Sequence, residues 1–185
     1  MNFKTISIIK FPVDIAWNTM LHHLPDIAKD VDDLESITEI ERTNLPEGVI
    51  KVDSVWKAKP KLPTMVMKYI KPDMLVWTDS ATWREKEKII DWEIRSHHYY
   101  DELYCKGATA FEQAMGGKGC KLTFSGELEW KGKVLSMSLG MLDATLAKAA
   151  ENILAQMIPS NLRKITEALS KYIEKNFHEN LKGSV

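Results

Sequence analysis

The sequence predicts an α+β fold: a curved antiparallel sheet of about seven strands wrapped on a long C-terminal helix, with one or two short helices after the first strand. Two observations carry this. Apolar residues recur at three-and-four spacing over residues 143–177, at Leu146, Ala149, Ala150, Ile153, Leu154, Met157, Leu162, Ile165, Leu169, Tyr172 and Ile173, which is one stripe on a helix roughly 50 Å long. Residues 34–130 read instead as successive strands broken by turn residues. A long helix with one apolar face needs a long apolar partner, and the sheet is the one available.

Residues 3–11 form the first expected strand, with Ile6, Ile8, Ile9 and Phe11. Pro12 suits the first turn of a helix, where its missing N–H costs nothing, and Asp14 favours the positive helix end. Ile15, Ala16, Met20 and Leu21 give that helix an apolar side, His22-His23-Leu24-Pro25 breaks it, and residues 25–30 fit a second short helix. A first hairpin is expected over 34–44 and 48–59, turning at Pro46-Glu47-Gly48, with Ile50, Val52, Ser54, Trp56 and Ala58 on one face and Lys51, Asp53 and Lys57 on the other. Residues 60–73 carry Pro60, Pro63 and Pro72 and read as a connection or edge piece.

A second hairpin spans 74–83 and 87–96. Pairing Trp83 with Lys88 sets Trp77, Asp79, Ile90, Trp92 and Ile94 on one side, so either the register slips there or Asp79 is a polar anchor in the interior. The third hairpin covers 101–115 and 119–130. A two-residue loop at Gly117-Lys118 pairs Met115 with Cys120, Gln113 with Leu122 and Phe111 with Phe124. Phe111, Leu122, Phe124, Leu128 and Trp130 then face the core, opposite Glu112, Lys121, Thr123, Glu127 and Glu129. Residues 131–142 cross to the long helix, where Pro159 removes a backbone bond and imposes a bend or a hinge.

The totals bound the function. At 185 residues one domain, 1–185, is expected. Lys+Arg 25 against Asp+Glu 26 leaves a net charge of −1, which argues against nucleic-acid binding through overall charge. No apolar run reaches the ~20 residues of a membrane span, so no stable membrane insertion is expected. Lys10 and Pro12 interrupt any signal-like apolar core, and a cytoplasmic protein is the expectation. Cys105 and Cys120 fall far apart along the third hairpin, which argues for buried thiols and against a disulfide.

The run Ile9-Lys10-Phe11-Pro12-Val13-Asp14-Ile15-Ala16-Trp17 resembles the opening segment of the START-like, or SRPBCC, superfamily, where an apolar strand end leads to Ala-Pro, an acidic residue and then Val-Trp on the first helix. Phe11 stands where a small Ala is usual, and Ala16 where Val is common. The element order resembles the helix-grip fold of the birch-pollen-allergen-like proteins over nearly the whole chain, closest to the polyketide cyclase/dehydrase and lipid transport group. The resemblance implies an apolar cavity between sheet and C-terminal helix. It does not imply one function, because the fold hosts carriers, cyclases, receptors and chaperone activators.

The candidate ligand-binding residues are Trp56, Trp77, Asp79, Trp92, His97, Tyr99, Phe111, Phe124, Met137, Met141, Leu154 and Met157. Taken singly, each apolar member fits an ordinary core. As a group on the concave face they make a pocket wall, with Asp79, His97 or Tyr99 orienting a polar group. His22-His23 and His97-His98 offer no metal spacing, since adjacent residues on a strand point to opposite faces. Gly116-Gly117-Lys118-Gly119 joins two strands and opens no helix, so it is no phosphate loop. The acidic run from Asp26 to Glu35 reads as a solvated loop or, alternatively, a guard at a cavity mouth. No nucleophile–base–orienter set stands out.

The expected function is binding or transport of a hydrophobic or amphipathic small molecule, lipid-like or polycyclic, with no catalytic residue, cofactor or metal. One alternative is a polyketide cyclase or dehydratase using the inward polar residues. The other is a protein-interaction module resembling chaperone-ATPase activators, which predicts a filled core.

Overall fold

The computed structural model describes residues 2–59, 72–98, 103–130 and 160–176. Strand β1 (Asn2–Ile9) leads through Pro12 into helix α1 (Val13–Ile27). Six further strands follow: β2 (Leu34–Leu45), β3 (Val49–Ala58), β4 (Val76–Arg84), β5 (Ile89–Ser96), β6 (Leu103–Ala114) and β7 (Gly119–Trp130). Helix α2 occupies 160–176. The strands form one antiparallel, curved sheet in the order β1-β7-β6-β5-β4-β3-β2. The architecture is the α+β arrangement expected from the sequence.

Pro12 caps α1 from outside and does not sit in its first turn; its carbonyl accepts from the Ala16 N–H at 3.1 Å. Ala16, Trp17, Met20 and Leu21 form the buried face. The expected break appears as a kink at His23 (φ −127, ψ 16), two residues before Pro25. A 3-10 turn, Ala28–Asp30, then leads to the sheet. The acidic run is more than a solvated loop: Asp33 pairs with Lys164 and so ties the start of the sheet to α2.

Alternation within the strands divides the sheet into a core face and an outer face. Both later hairpins differ from the expected pairing by two residues. In the second, Trp83 lies opposite Ile90, not Lys88. In the third, Gln113 lies opposite Cys120 and Phe111 opposite Leu122. In the third hairpin the cause is the turn. Met115, Gly116 and Gly117 all take positive φ (54, 64 and 88), so four residues connect the strands where a two-residue loop was expected. A slip of two leaves every side chain on its own face, whereas a slip of one would have reversed the sheet. Phe111, Leu122, Phe124 and Leu128 are accordingly buried. Cys105 and Cys120 are buried and free, and burial pushes their thiols up to about 12 and about 11.

On the core face, Ile165, Ala168, Leu169 and Ile173 of α2 join Trp17 and Met20 of α1 and the inward residues of the sheet in one cluster. Among the described residues no helix is long and apolar enough to cross a membrane.

The crossing 131–142, the helix half 143–158, the bend at Pro159, the side chain of Trp130, and Tyr99, Met137, Met141, Leu154 and Met157 lie outside what is described.

Candidate functional site

A cavity lies between the core face of the sheet, the second half of α1 and the start of α2. Its internal free volume is about 90 Å³, and it is open to solvent at its mouth. Trp56, Trp77, Trp83, Trp92 and Phe124 supply aromatic wall, and Leu21, Leu24, Leu162 and Ile165 cover it from the helices. The polar groups on this wall are few: Ser54, Asp79, Thr109 and Asn161 within, Glu39 and Arg42 on β2.

Asp79 is the central polar residue. On β4 it lies opposite Ser54 of β3 and Ile94 of β5, so it sits in the middle of the sheet facing inward. Trp77 precedes it by two on the same face, with Trp56 and Trp92 as its diagonal neighbours. The residue is 9% exposed, and its carboxyl accepts no hydrogen bond from a described residue. Burial, with the Asp53 carboxylate adding to it, pushes Asp79 up to about 7. The sequence left open whether the register slips at Asp79 or Asp79 is an interior anchor. The register does slip, by two residues, and the residue still points inward.

The tryptophans are held differently. Trp56 and Trp77 stack at 6.0 Å between ring centroids. The Trp92 indole donates to Thr109 Oγ1 at 3.1 Å, whereas the buried indole nitrogens of Trp56 and Trp83 have no partner among the described residues.

Two candidates sit elsewhere. His97 is exposed, with Nε2 2.9 Å from Thr78 Oγ1 on the outer face of β4, and it does not line the cavity. Phe111 is buried but packs edge-on against Trp17 at 5.2 Å, holding α1 to the sheet. His98 Nδ1 meets Asp73 Oδ2 at 2.7 Å. Among the described residues no cluster of His, Cys, Asp or Glu could hold a metal ion.

The sequence reading missed the ion pair on β2, and the reason is local. A register shift between Glu39 and Glu41 places Ile40 out of step. Glu39 then lies opposite Ser54 and Arg42 opposite Val52, so residues three apart share the core face, which strict alternation forbids. Arg42 forks onto Glu39, Nε to Oε1 at 2.8 Å and Nη2 to Oε2 at 2.6 Å, and this bond holds the Glu39 carboxyl below its usual range. Arg42 Nη2 also donates to the Leu21 carbonyl at 3.0 Å. That carbonyl would bond the N–H of residue 25 in a regular helix, and Pro25 has none. Arg42 therefore supplies the donor that the proline removed.

Arg42→Met is expected to cost about 1–3 kcal/mol in urea denaturation, because the part-buried carbonyl loses its donor. In a Pro25→Ala background the new N–H can take that carbonyl, and the cost should fall by about half or more. An equal cost in both backgrounds would refute the link between proline and arginine.

Asn161 was also missed. It lies one turn before Ile165 on the buried stripe of α2, and a polar residue in a stripe position was the available signal.

No protein-family model and no curated protein sequence matches the chain. Solved structures do. TTHA0849 from Thermus thermophilus superposes with a TM-score of 0.66 at 11% identity, covering 95% of this chain and 99% of that one. The Zhui aromatase/cyclase from Streptomyces sp. R1128 gives 0.58 at 9% identity, over 91% and 93% of the two chains. Norcoclaurine synthase from Thalictrum flavum, in complex with dopamine and hydroxybenzaldehyde, gives 0.59 at 12% identity, over 95% and 87%. The chain has the helix-grip fold. At these identities the likeness speaks for architecture alone. What a helix-grip protein does is decided by the groups on its cavity wall.

Proposed function

We propose that this helix-grip protein binds a hydrophobic or amphipathic small molecule, lipid-like or polycyclic, in the cavity between sheet and helices. The carrying observation is the wall itself: aromatic and aliphatic side chains around a concave space, with a few polar groups placed within it. Binding is burial. A ligand leaving water for this wall gains roughly 25 cal/mol per Å² of apolar surface removed, less the cost of its own immobilisation. Trp56, Trp77, Trp92 and Phe124 are the proposed contacts for its apolar body, and Asp79 for a polar group. The three solved structures include a cyclase and a synthase, which is compatible with a cavity that takes ring-containing molecules.

One observation favours a second reading. A carboxyl at about 7 holds its proton about half the time at neutral pH and can give or take one, as a cyclase or dehydratase would require. That reading predicts that Asp79→Asn abolishes turnover and leaves binding intact. The interaction-module alternative predicts a filled core, and the cavity favours the binding reading over it.

The test is native mass spectrometry of the purified protein, followed by thermal melts of the stripped protein against a panel of fatty acids, sterols and polycyclic aromatics. A co-purifying small molecule is expected. A ligand present at 100 times its Kd should stabilise the protein by about 2.7 kcal/mol, a shift of several degrees. No rise in Tm anywhere in the panel would overturn the proposal.

A further inference from the structure

The described residues of the cavity wall include two carboxyl groups, Glu39 and Asp79, and one cation, Arg42. Arg42 is committed, forked onto Glu39 and bonded to the Leu21 carbonyl. Asp79 is left deep on the sheet with no cation and no hydrogen-bond donor from the described residues, although an isolated buried carboxylate is among the costliest groups to keep. Ser54 and Ile94 lie directly opposite it, Trp77 precedes it by two along the strand and Trp56, stacked on Trp77, is its diagonal neighbour on β3, whereas the Trp92 ring leans the other way over β6 toward Phe3.

Resting on the binding function proposed above, we propose that the cavity selects an amphipathic ligand bearing one amine or ammonium group, with Asp79 as its counter-charge and the stacked pair Trp56 and Trp77 as the aromatic wall beside the cation. The chemistry is complementary in both parts. A cation over indole faces is attracted by the ring quadrupole, and most strongly where water is excluded. A cation beside a buried carboxylate supplies the missing partner, so the pair is desolvated together and neither charge alone. A ligand with an anionic head meets the opposite situation, two like charges in a low-dielectric site. The upward displacement of the Asp79 carboxyl has the same origin, burial first and the Asp53 carboxylate second, both of which disfavour its negative charge. A neutral alcohol can also donate to Asp79, but it brings no charge to the tryptophans. An amine and its alcohol isostere therefore separate recognition of a cation from recognition of any donor.

The experiment compares 2-(2-naphthyl)ethylamine with 2-(2-naphthyl)ethanol by isothermal titration calorimetry, on the full-length protein and on Asp79→Asn, at about pH 8, where the amine is charged and Asp79 is ionised. The wild type is expected to bind the amine more than about tenfold tighter than the alcohol. Asp79→Asn should abolish that preference by weakening the amine, with the alcohol changed by no more than about threefold. Equal binding of amine and alcohol by the wild type overturns the cationic assignment while leaving apolar binding in place. A preference that survives in Asp79→Asn overturns it equally. Binding of neither probe overturns both this inference and the proposed site. The wild-type comparison decides the main point even if the variant does not fold.

Discussion

Asp79→Asn is expected to gain stability relative to the wild type as pH rises from about 5 to about 8. The sign follows from proton linkage. Burial raises the Asp79 carboxyl from 3.8 to about 7 in the folded protein, so between those values the native state holds a proton that the unfolded chain has lost. Stability then falls as pH rises through that window and levels off above it. The full displacement corresponds to roughly 4 kcal/mol, an order-of-magnitude figure for a group this deeply buried. Asparagine keeps the shape and remains neutral throughout, so its stability should lack this downward slope. Three other carboxylates act in the opposite sense and in a different window. Asp26, Glu39 and Glu112 are held below their usual values by Lys29, Arg42 and Lys121, so their contribution is lost only as pH falls into the acid range, below about 4. Urea denaturation of both proteins at about pH 5 and about pH 8 separates the two groups of residues. Parallel slopes for wild type and variant over that interval would refute the assignment of Asp79 as the group that titrates.

The same residue shows what can be read from a sequence like this one. Period-two alternation places Asp79 with Trp77, Ile90, Trp92 and Ile94, and that grouping survives although the pairing is off by two residues in both later hairpins. Face and register are separate properties. Face depends on parity along a strand, which the apolar pattern records. Register depends on turn geometry, and three consecutive residues at positive φ, beginning with the non-glycine Met115, are not encoded in any two-residue turn signal. Where parity itself fails, the reading fails with it. The irregularity at Ile40 puts Glu39 and Arg42 on one face, and nothing in their residue types announces it. His97 is a different case, because parity holds there: it follows Ser96 by one, so the alternation that turns Trp92, Ile94 and Ser96 inward turns its ring to the outer face beside Thr78. The kink in α1 was legible because proline states its own chemistry, whereas the arginine that compensates it lies 17 residues further along the chain.

The glycine strip under Trp92 supplies the second large effect. Gly107 of β6 lies opposite Gly126 of β7 and opposite Trp92 of β5. The two glycines leave a bare strip on the core face, and the Trp92 ring occupies it, reaching across to stack on Phe3 at 6.2 Å. A Cβ on Gly107 would stand 2.2 Å from the Ser125 carbonyl oxygen and 2.5 Å from Trp92 Cζ2. A Cβ on Gly126 would stand 2.7 Å from Trp92 Cη2, 2.8 Å from Phe3 Cζ and 2.9 Å from the Lys106 carbonyl oxygen. Alanine in place of a strand glycine ordinarily gains roughly 0.5–1 kcal/mol from reduced chain entropy. Overpacking of this severity outweighs that gain. Gly107→Ala is expected to destabilise the protein by about 3 kcal/mol or more, and Gly126→Ala by about 2 kcal/mol. The contacts also predict how each variant responds to a second change. Trp92→Leu removes the aromatic obstacle and should offset much of the Gly126→Ala cost, but little of the Gly107→Ala cost, because the backbone carbonyl at 2.2 Å does not move with the tryptophan. Urea denaturation of the two double-mutant cycles measures this difference. Equal coupling in both cycles, or single variants within about 0.5 kcal/mol of the wild type, would mean that Trp92 does not rest on this strip.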